Sequence, residues 1–222
     1  MSIILSIDTA LPLASVGLAN DGTLITERIS EQQKEHAAFL HPAIESMLME
    51  TGITLKDLNA ISVTIGPGSY TGLRVGLASA KGLCFALQKP LIALCTLETM
   101  ALQTSMNVSS DSTASFYCPM IDARRMEVFT ALFGPSMSCI IPPHANILHS
   151  ASFQEYLTNN IVYFSGNGSD KFMEIVNHRN AYHTTISSIS EAMAKLGCAQ
   201  FDNRDFAPIQ TVEPNYLKAY QA

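Results

Sequence analysis

The residues best placed to do chemistry in this chain lie in one run, Gly66-Pro67-Gly68-Ser69-Tyr70-Thr71-Gly72-Leu73-Arg74. It joins a β-branched stretch, Ala60 to Ile65, to a segment of helical character, Val75 to Leu87. A glycine-rich turn from strand to helix leaves backbone N–H groups at the positive end of the helix dipole, where an oxyanion binds. Gly66, Gly68 and Ser69 are therefore candidates for holding a nucleotide or phosphate. The spacing is not that of a generic phosphate loop. Five residues separate Gly66 from Gly72, and Leu73 stands where a P-loop carries lysine. The competing reading is a tight turn whose glycines only permit close packing, with Ser69 as the N-cap of a helix starting at Tyr70.

Two aspartates close strand-like runs: Asp8 after Ile3 to Ile7, and Asp122 after Phe116 to Ile121. With Thr9 and Arg124 beside them, they offer ligands for magnesium or a phosphate. Equally, an aspartate at a strand end shapes a tight turn with its own side chain, and Arg124-Arg125 reads as a solvated charge pair. Both readings stand on the sequence alone. The six histidines fall as His36/His41, His144/His149 and His178/His183, each pair five apart. On a helix that spacing leaves side chains about 140° apart, against about 40° for a metal-binding spacing of four. There is no H-E-x-x-H and no G-x-S-x-G. No catalytic residue and no metal ligand is assigned.

The elements that must position these residues repeat. Residues 2–18 read strand, turn, strand, turning at Asp8, and residues 116–133 do the same at Asp122, which suggests a duplication. The first half continues with a strand over 24–29, a helix over 32–50 stopped by Gly52, a strand over 60–65, a helix over 70–87 and a strand over 91–95. Thr96 is the expected N-cap of a further helix, and polar residues 106–115 are the expected linker. The second half adds a helix around 153–157, a strand over 161–165, the turn Gly166-Asn167-Gly168, and helices near 170–176 and 190–196. Two lobes are expected, 1–105 and 106–222, with the proline-punctuated tail packing back on the first.

Composition sets limits of its own. A chain of 222 residues with 47% hydrophobic and 14% charged residues buries a real core and reserves apolar surface for a partner. The formal net charge of −6 makes it a poor primary RNA binder, because RNA backbones are held by Lys and Arg. No basic leader and no run of about 20 apolar residues stands in the chain, so a cytoplasmic protein without a membrane segment is expected. Five scattered cysteines read as buried thiols rather than disulfides or zinc ligands.

The nine-residue run resembles the signature of the bacterial TsaB (YeaZ) family, Gly-Pro-Gly-Ser-Phe-Thr-Gly-Leu-Arg. Four further stretches resemble that family: Ile4 to Thr9; His36 with Leu40 and Pro42; Asp122-Ala123-Arg124-Arg125 with Glu127-Val128; and Pro214 to Lys218. Tyr70 replaces Phe, Lys218 replaces Arg, and Ala10-Leu11 stand where small polar residues are usual, which weakens a phosphate role for the first turn. The resemblance implies an α/β, two-lobed actin-like (ribonuclease H-like) fold with duplicated mixed-sheet halves. It also implies a non-catalytic scaffold in the synthesis of N6-threonylcarbamoyladenosine beside the tRNA anticodon. The implied partners are a metal-bearing TsaD-type catalytic paralogue and a TsaE-type ATPase, with a homodimer when alone and tRNA only through the complex. The paralogue holds its metal with His-x-x-x-His on its first helix; here His36 matches, and Leu40 takes the second place. The implied partner face is His36, Leu40, Ile44, Met47 and Leu48 on the first helix, and Gly72, Arg74, Gly76, Ala80 and Leu83 on the second. No cofactor is expected in this chain, with ATP or ADP and magnesium at most at the complex interface. The alternative is an independent nucleotide-dependent kinase or a glycoprotease-like peptidase.

Overall fold

The first strand, β1 (Ile3–Asp8), is buried along its whole length, as a strand covered on both faces must be. It anchors a computed structural model that describes residues 2–30, 35–108 and 115–218. After β1 come β2 (Ser15–Asn20), β3 (Thr23–Ile29), α1 (His36–Thr51), β4 (Ala60–Gly66), α2 (Tyr70–Leu87), β5 (Leu91–Cys95) and α3 (Thr96–Asn107). The second half runs β6 (Ser115–Asp122), β7 (Glu127–Phe133), β8 (Cys139–Ile147), α4 (Gln154–Leu157), β9 (Ile161–Ser165), α5 (Ser169–Met173), β10 (Ala181–Thr184) and α6 (Ser190–Asp202). The five-stranded sheets have the orders β3-β2-β1-β4-β5 and β10-β9-β6-β7-β8. In each, the first three strands of the half form an antiparallel meander and the last two pair in parallel. Each half is thus three strands and a helix, then two strand–helix steps. The duplication visible at the two hairpins extends through the whole topology.

The division into units does not follow the halves. One unit comprises Met1–Thr96 and Ser188–Tyr216; the other comprises Leu97–Ser187 and Leu217–Ala222. The sequence placed this boundary between 105 and 106. It falls earlier because α3 packs with the second sheet, where Thr104 Oγ1 donates to Ser165 Oγ at 2.7 Å. In the first unit, one sheet face packs Leu5, Ile7, Ile61 and Val63 against Leu40, Ile44 and Met47 of α1 and Leu77, Ala80 and Cys84 of α2. The other face, lined by Ser6, Gly17 and Ser62, takes α6, and a Cβ on Gly197 would lie 3.5 Å from Ser62 Oγ. Small residues on both sides let this helix lie close to the sheet.

Local signals explain most boundaries. Ser69 caps α2, its Oγ accepting from Gly72 N–H at 3.2 Å, and Gly52 ends α1 with φ 69°. α1 has no side-chain cap and carries Pro42 on its exposed side, so packing rather than propensity sustains it. Thr96 does not cap α3: it is the first helical residue, and its buried hydroxyl has no hydrogen-bond partner. The expected helix start at 32 and most of the expected linker lie outside the described residues. Strands β8 and β10 had no expectation. β8 holds Pro142 and Pro143, which an edge strand tolerates, and β10 is only four residues long. None of the five cysteines forms a disulfide; Cys84 and Cys118 are buried, but Cys139 is exposed, against expectation, because it opens that edge strand.

Candidate functional site

The turn between β1 and β2 and the glycine run before α2 form one hydrogen-bonded body. Thr9 Oγ1 donates to Gly72 O at 2.7 Å, and Ser69 N–H donates to Ala10 O at 2.8 Å. A Cβ on Gly68 would lie 2.5 Å from Ala10 O, and one on Gly72 or Gly76 would overlap the Thr9 carbonyl or hydroxyl. Gly66, at φ 125°, has Asn215 O pressed against it, and Asn215 N–H donates to Ile65 O at 2.6 Å. The space these glycines open is filled by the chain itself. Ser69 spends its hydroxyl on the cap and its N–H on Ala10 O. The same packing corrects the partner reading of Gly72, Gly76 and Ala80, which turn inward onto Thr9 and the core.

Asp8 is 1% exposed. Its Oδ1 accepts from Thr64 Oγ1 at 2.6 Å and from Ala10 N–H at 3.0 Å, and among the described residues no cation stands beside it. Burial strips water from the carboxylate and raises its pKa from 3.8 to about 6, against the pull of the bonds from Thr64, Ala10 and Leu11. Asp8 and Thr9 therefore act here as the organisers of a turn.

Asp122 holds the second hairpin differently. Its Oδ1 accepts from Arg124 N–H at 2.9 Å and from Lys171 Nζ at 2.5 Å. The same ammonium donates to Arg125 O at 2.8 Å and Glu127 O at 2.6 Å, and Asn167 Oδ1 accepts from Asp122 N–H. Arg124 and Arg125 take the left-handed region (φ 71° and 51°) and project into solvent beside a cavity of about 540 Å³ that Met126, Ile147 and Lys218 help to line. Lys171 had no expectation as a site residue, and Asn167 was expected in a strand-to-helix turn, with a place under an adenine as the weaker reading. The signal was the repeat: Gly166-Asn167-Gly168 lies at the end of β9 as Gly66-Pro67-Gly68 lies at the end of β4. Gly168 presses on Asp122 N as Gly68 presses on Ala10.

On α1, Leu40 and Met47 are fully buried and Ile44 nearly so, which corrects their place on an outward face. His36 is buried too, its Nε2 3.3 Å from Leu11 O, and burial lowers its pKa. With Leu40 sealed in the core at the second ligand position, the donor set does not fit a metal. Among the described residues no three His, Cys, Asp or Glu gather. What faces outward is a different set. Met49 is 79% and Phe85 74% exposed, and a groove of about 480 Å³ opens between the helices over Ile44, Leu48, Ile53, Leu55 and Leu83. Along α2 the open stripe is Arg74, Ala78, Gly82 and Phe85, with nothing within 4 Å of a Cβ placed on Gly82.

The sequence family described as "TsaD: tRNA N6-adenosine threonylcarbamoyltransferase" matches residues 23–222. The chain is 36% identical over 130 residues to the tRNA threonylcarbamoyladenosine biosynthesis protein TsaB of Bacillus subtilis, spanning 59% of this chain and about half (54%) of that relative's length. It is 29% identical over 230 residues to TsaB of Escherichia coli, covering 97% and 94%. The chain belongs to the TsaB family of tRNA threonylcarbamoyladenosine biosynthesis proteins. The solved structure of YeaZ from Pseudomonas aeruginosa, at 23% identity, superposes with a TM-score of 0.78 over 98% of this chain and 100% of that one. A sugar kinase, the ROK hexokinase of Thermus thermophilus, superposes with a TM-score of 0.51 at 11% identity over 91% and 99%. The fold is the two-sheet, actin-like one that these proteins share. For a TsaB-type chain, the glycine signature thus has a structural explanation: each glycine makes room for the β1–β2 turn or for the closing segment. Among the described residues no helix is long and apolar enough to cross a membrane.

Proposed function

We propose that this chain is a non-catalytic, scaffolding subunit of the machinery that makes N6-threonylcarbamoyladenosine in tRNA. It docks a TsaD-type catalytic paralogue on the outer face of α1 and α2, and pairs with a second copy of itself there when alone. The observation that carries this is Met49, 79% exposed and lining an apolar groove, together with Phe85, 74% exposed on the open stripe of α2. Such a patch on an otherwise well-buried chain marks an interface. Leu48 and Leu83 floor the groove, and the small Ala78 and Gly82 let a partner helix approach closely. A TsaE-type ATPase joins the complex, any ATP or ADP with magnesium belongs to the assembled interfaces, and tRNA is reached through the paralogue. The internally spent Asp8 turn and the net charge of −6 both support that division of labour.

The test is a reconstituted modification reaction with and without this chain, read as modified adenosine by mass spectrometry. Dependence of product on the chain supports the scaffold. Full activity without it, or magnesium-dependent ATP turnover by the chain alone, overturns it.

A further inference from the structure

Two buried ionisable groups that the docking role does not use meet at one residue of the β1–β2 turn. Asp8, closing β1, accepts from the Leu11 N–H, and Nε2 of His36, opening α1, lies 3.3 Å from the Leu11 carbonyl oxygen. A carbonyl only accepts, so Nε2 carries the hydrogen and a second proton would enter at Nδ1. Asp8 is 1% and His36 8% exposed. Asp8 faces Thr64 of β4 and, across the antiparallel pair, Ser15 of β2, neither of which is charged. Among the described residues no charged group shifts either side chain, and Glu35, which precedes His36, is exposed. The same turn seats the signature run. Ala10 O accepts from Ser69 N–H at 2.8 Å, and Thr9 Oγ1 donates to Gly72 O at 2.7 Å. Opening the turn therefore unseats Ser69, the cap of α2, along with the His36 end of α1.

We infer that the β1–β2 turn is a proton-linked clasp, in which Asp8 and His36 grip Leu11 by its N–H and its carbonyl and oppose each other's response to pH. The clasp belongs to this chain alone and stands whether or not the docking reading does; it bears on docking because α1 and α2 both begin at it. Closing the turn strips water from whichever charge is present, and the two groups carry their charge in opposite protonation states. Asp8 is charged when it has lost its proton. Burial raises its pKa from 3.8 to about 6, so the closed turn loses stability as pH rises across that interval. His36 is charged when it has gained a proton. Burial lowers its pKa from 6.5, so the closed turn loses stability as pH falls below 6.5. The two windows meet near pH 6, where each group offsets part of the other's effect. Either one alone would loosen the seat of Ser69 toward one end of the range.

The experiment is amide hydrogen exchange of the full chain between about pH 4 and pH 7.5, for the unaltered protein, Asp8→Asn and His36→Gln. It is read as the opening constant at Ser69 and at Leu73, whose N–H donates to Ser69 O, with Val162 and Val176 of the other unit as references. Gln keeps an N–H for the Leu11 carbonyl and does not titrate. In His36→Gln, Ser69 is expected to open about fiftyfold more readily at the upper end of the range than at the lower, the effect of Asp8 alone. In Asp8→Asn the sign reverses, and opening is more frequent at the lower end. The unaltered chain responds less steeply than His36→Gln, and all responses are largest at Ser69 and Leu73. The same sign in both variants, or an equal response at Val162 and Val176, overturns the clasp. Carbon and proton NMR titration of the unaltered chain needs no variant: an Asp8 carboxyl titrating near 3.8, or a His36 ring near 6.5, overturns it as well.

Discussion

Replacing Asp8 by Asn should stabilise the protein at neutral pH. A carboxylate 1% exposed, with no cation beside it among the described residues, is costly to keep charged. Its pKa of about 6 in the fold against 3.8 in the unfolded chain means that the folded state holds the proton more tightly. Between those values the folded state is protonated and the unfolded chain is not, so stability falls as pH rises through the window; above it the full penalty applies. At about 1.4 kcal/mol per tenfold, the penalty is about 3 kcal/mol. Asn keeps an oxygen to accept from Thr64 Oγ1 and Ala10 N–H and carries no charge, so the variant escapes the penalty, less what the Leu11 bond contributes where it falls on the NH2 side. For a chain of this size that corresponds to about 6–12 °C in melting temperature. The assay is urea or thermal unfolding of both proteins from pH 4 to pH 8. The expected gap is small near pH 4, opens through pH 5 to 6.5 and is level above. A variant less stable at pH 7.5, or a gap that does not change with pH, would refute the assignment of a buried, unpaired charge.

Three glycines of α2 should respond with opposite signs to the same substitution. Gly82→Ala meets open space and should gain about 0.5–1 kcal/mol, as glycine in a helix interior usually does, whereas Gly72→Ala and Gly76→Ala must displace Thr9 and should lose about 3 kcal/mol or more by urea unfolding. Thiol titration of the native protein should modify Cys139 first, while Cys84 and Cys118, buried and with pKa pushed up to about 12, react only on unfolding. Leu40→His, which restores His-x-x-x-His with His36, should take up no zinc or iron by metal analysis and should cost about 2–5 kcal/mol, because position 40 is sealed in the core without a third ligand.

Period and punctuation made much of this fold legible. The bounds of α2, β5 and β9 follow from Ser69, from β-branched runs and from the flanking glycines and prolines, all of which act within a few residues. Burial was less legible. The stripe Gly72, Gly76 and Ala80 has the spacing of a smooth helix face, and no periodicity says whether a partner or the chain's own Thr9 lies on it. The outer stripe of Ala78 and Gly82 has the same spacing and is the open one. Asp8 and Asp122 look alike in sequence, each closing the first strand of a half. One is sealed with hydroxyl and amide donors and the other is bound by a lysine on a helix 49 residues away. The repeat itself was the unused signal, since the third and fifth strands of the first half called for β8 and β10 in the second.

Analytical ultracentrifugation of the TsaD-type paralogue with this chain, intact and as Phe85→Asp, bears most directly on the role proposed for α1 and α2. Phe85 is 74% exposed, so the substitution should leave the fold and its melting temperature unchanged. The expected result is a stable heteromer with the intact chain and separate species with the variant. A heteromer that forms equally well with Phe85→Asp would contradict the assignment of this face.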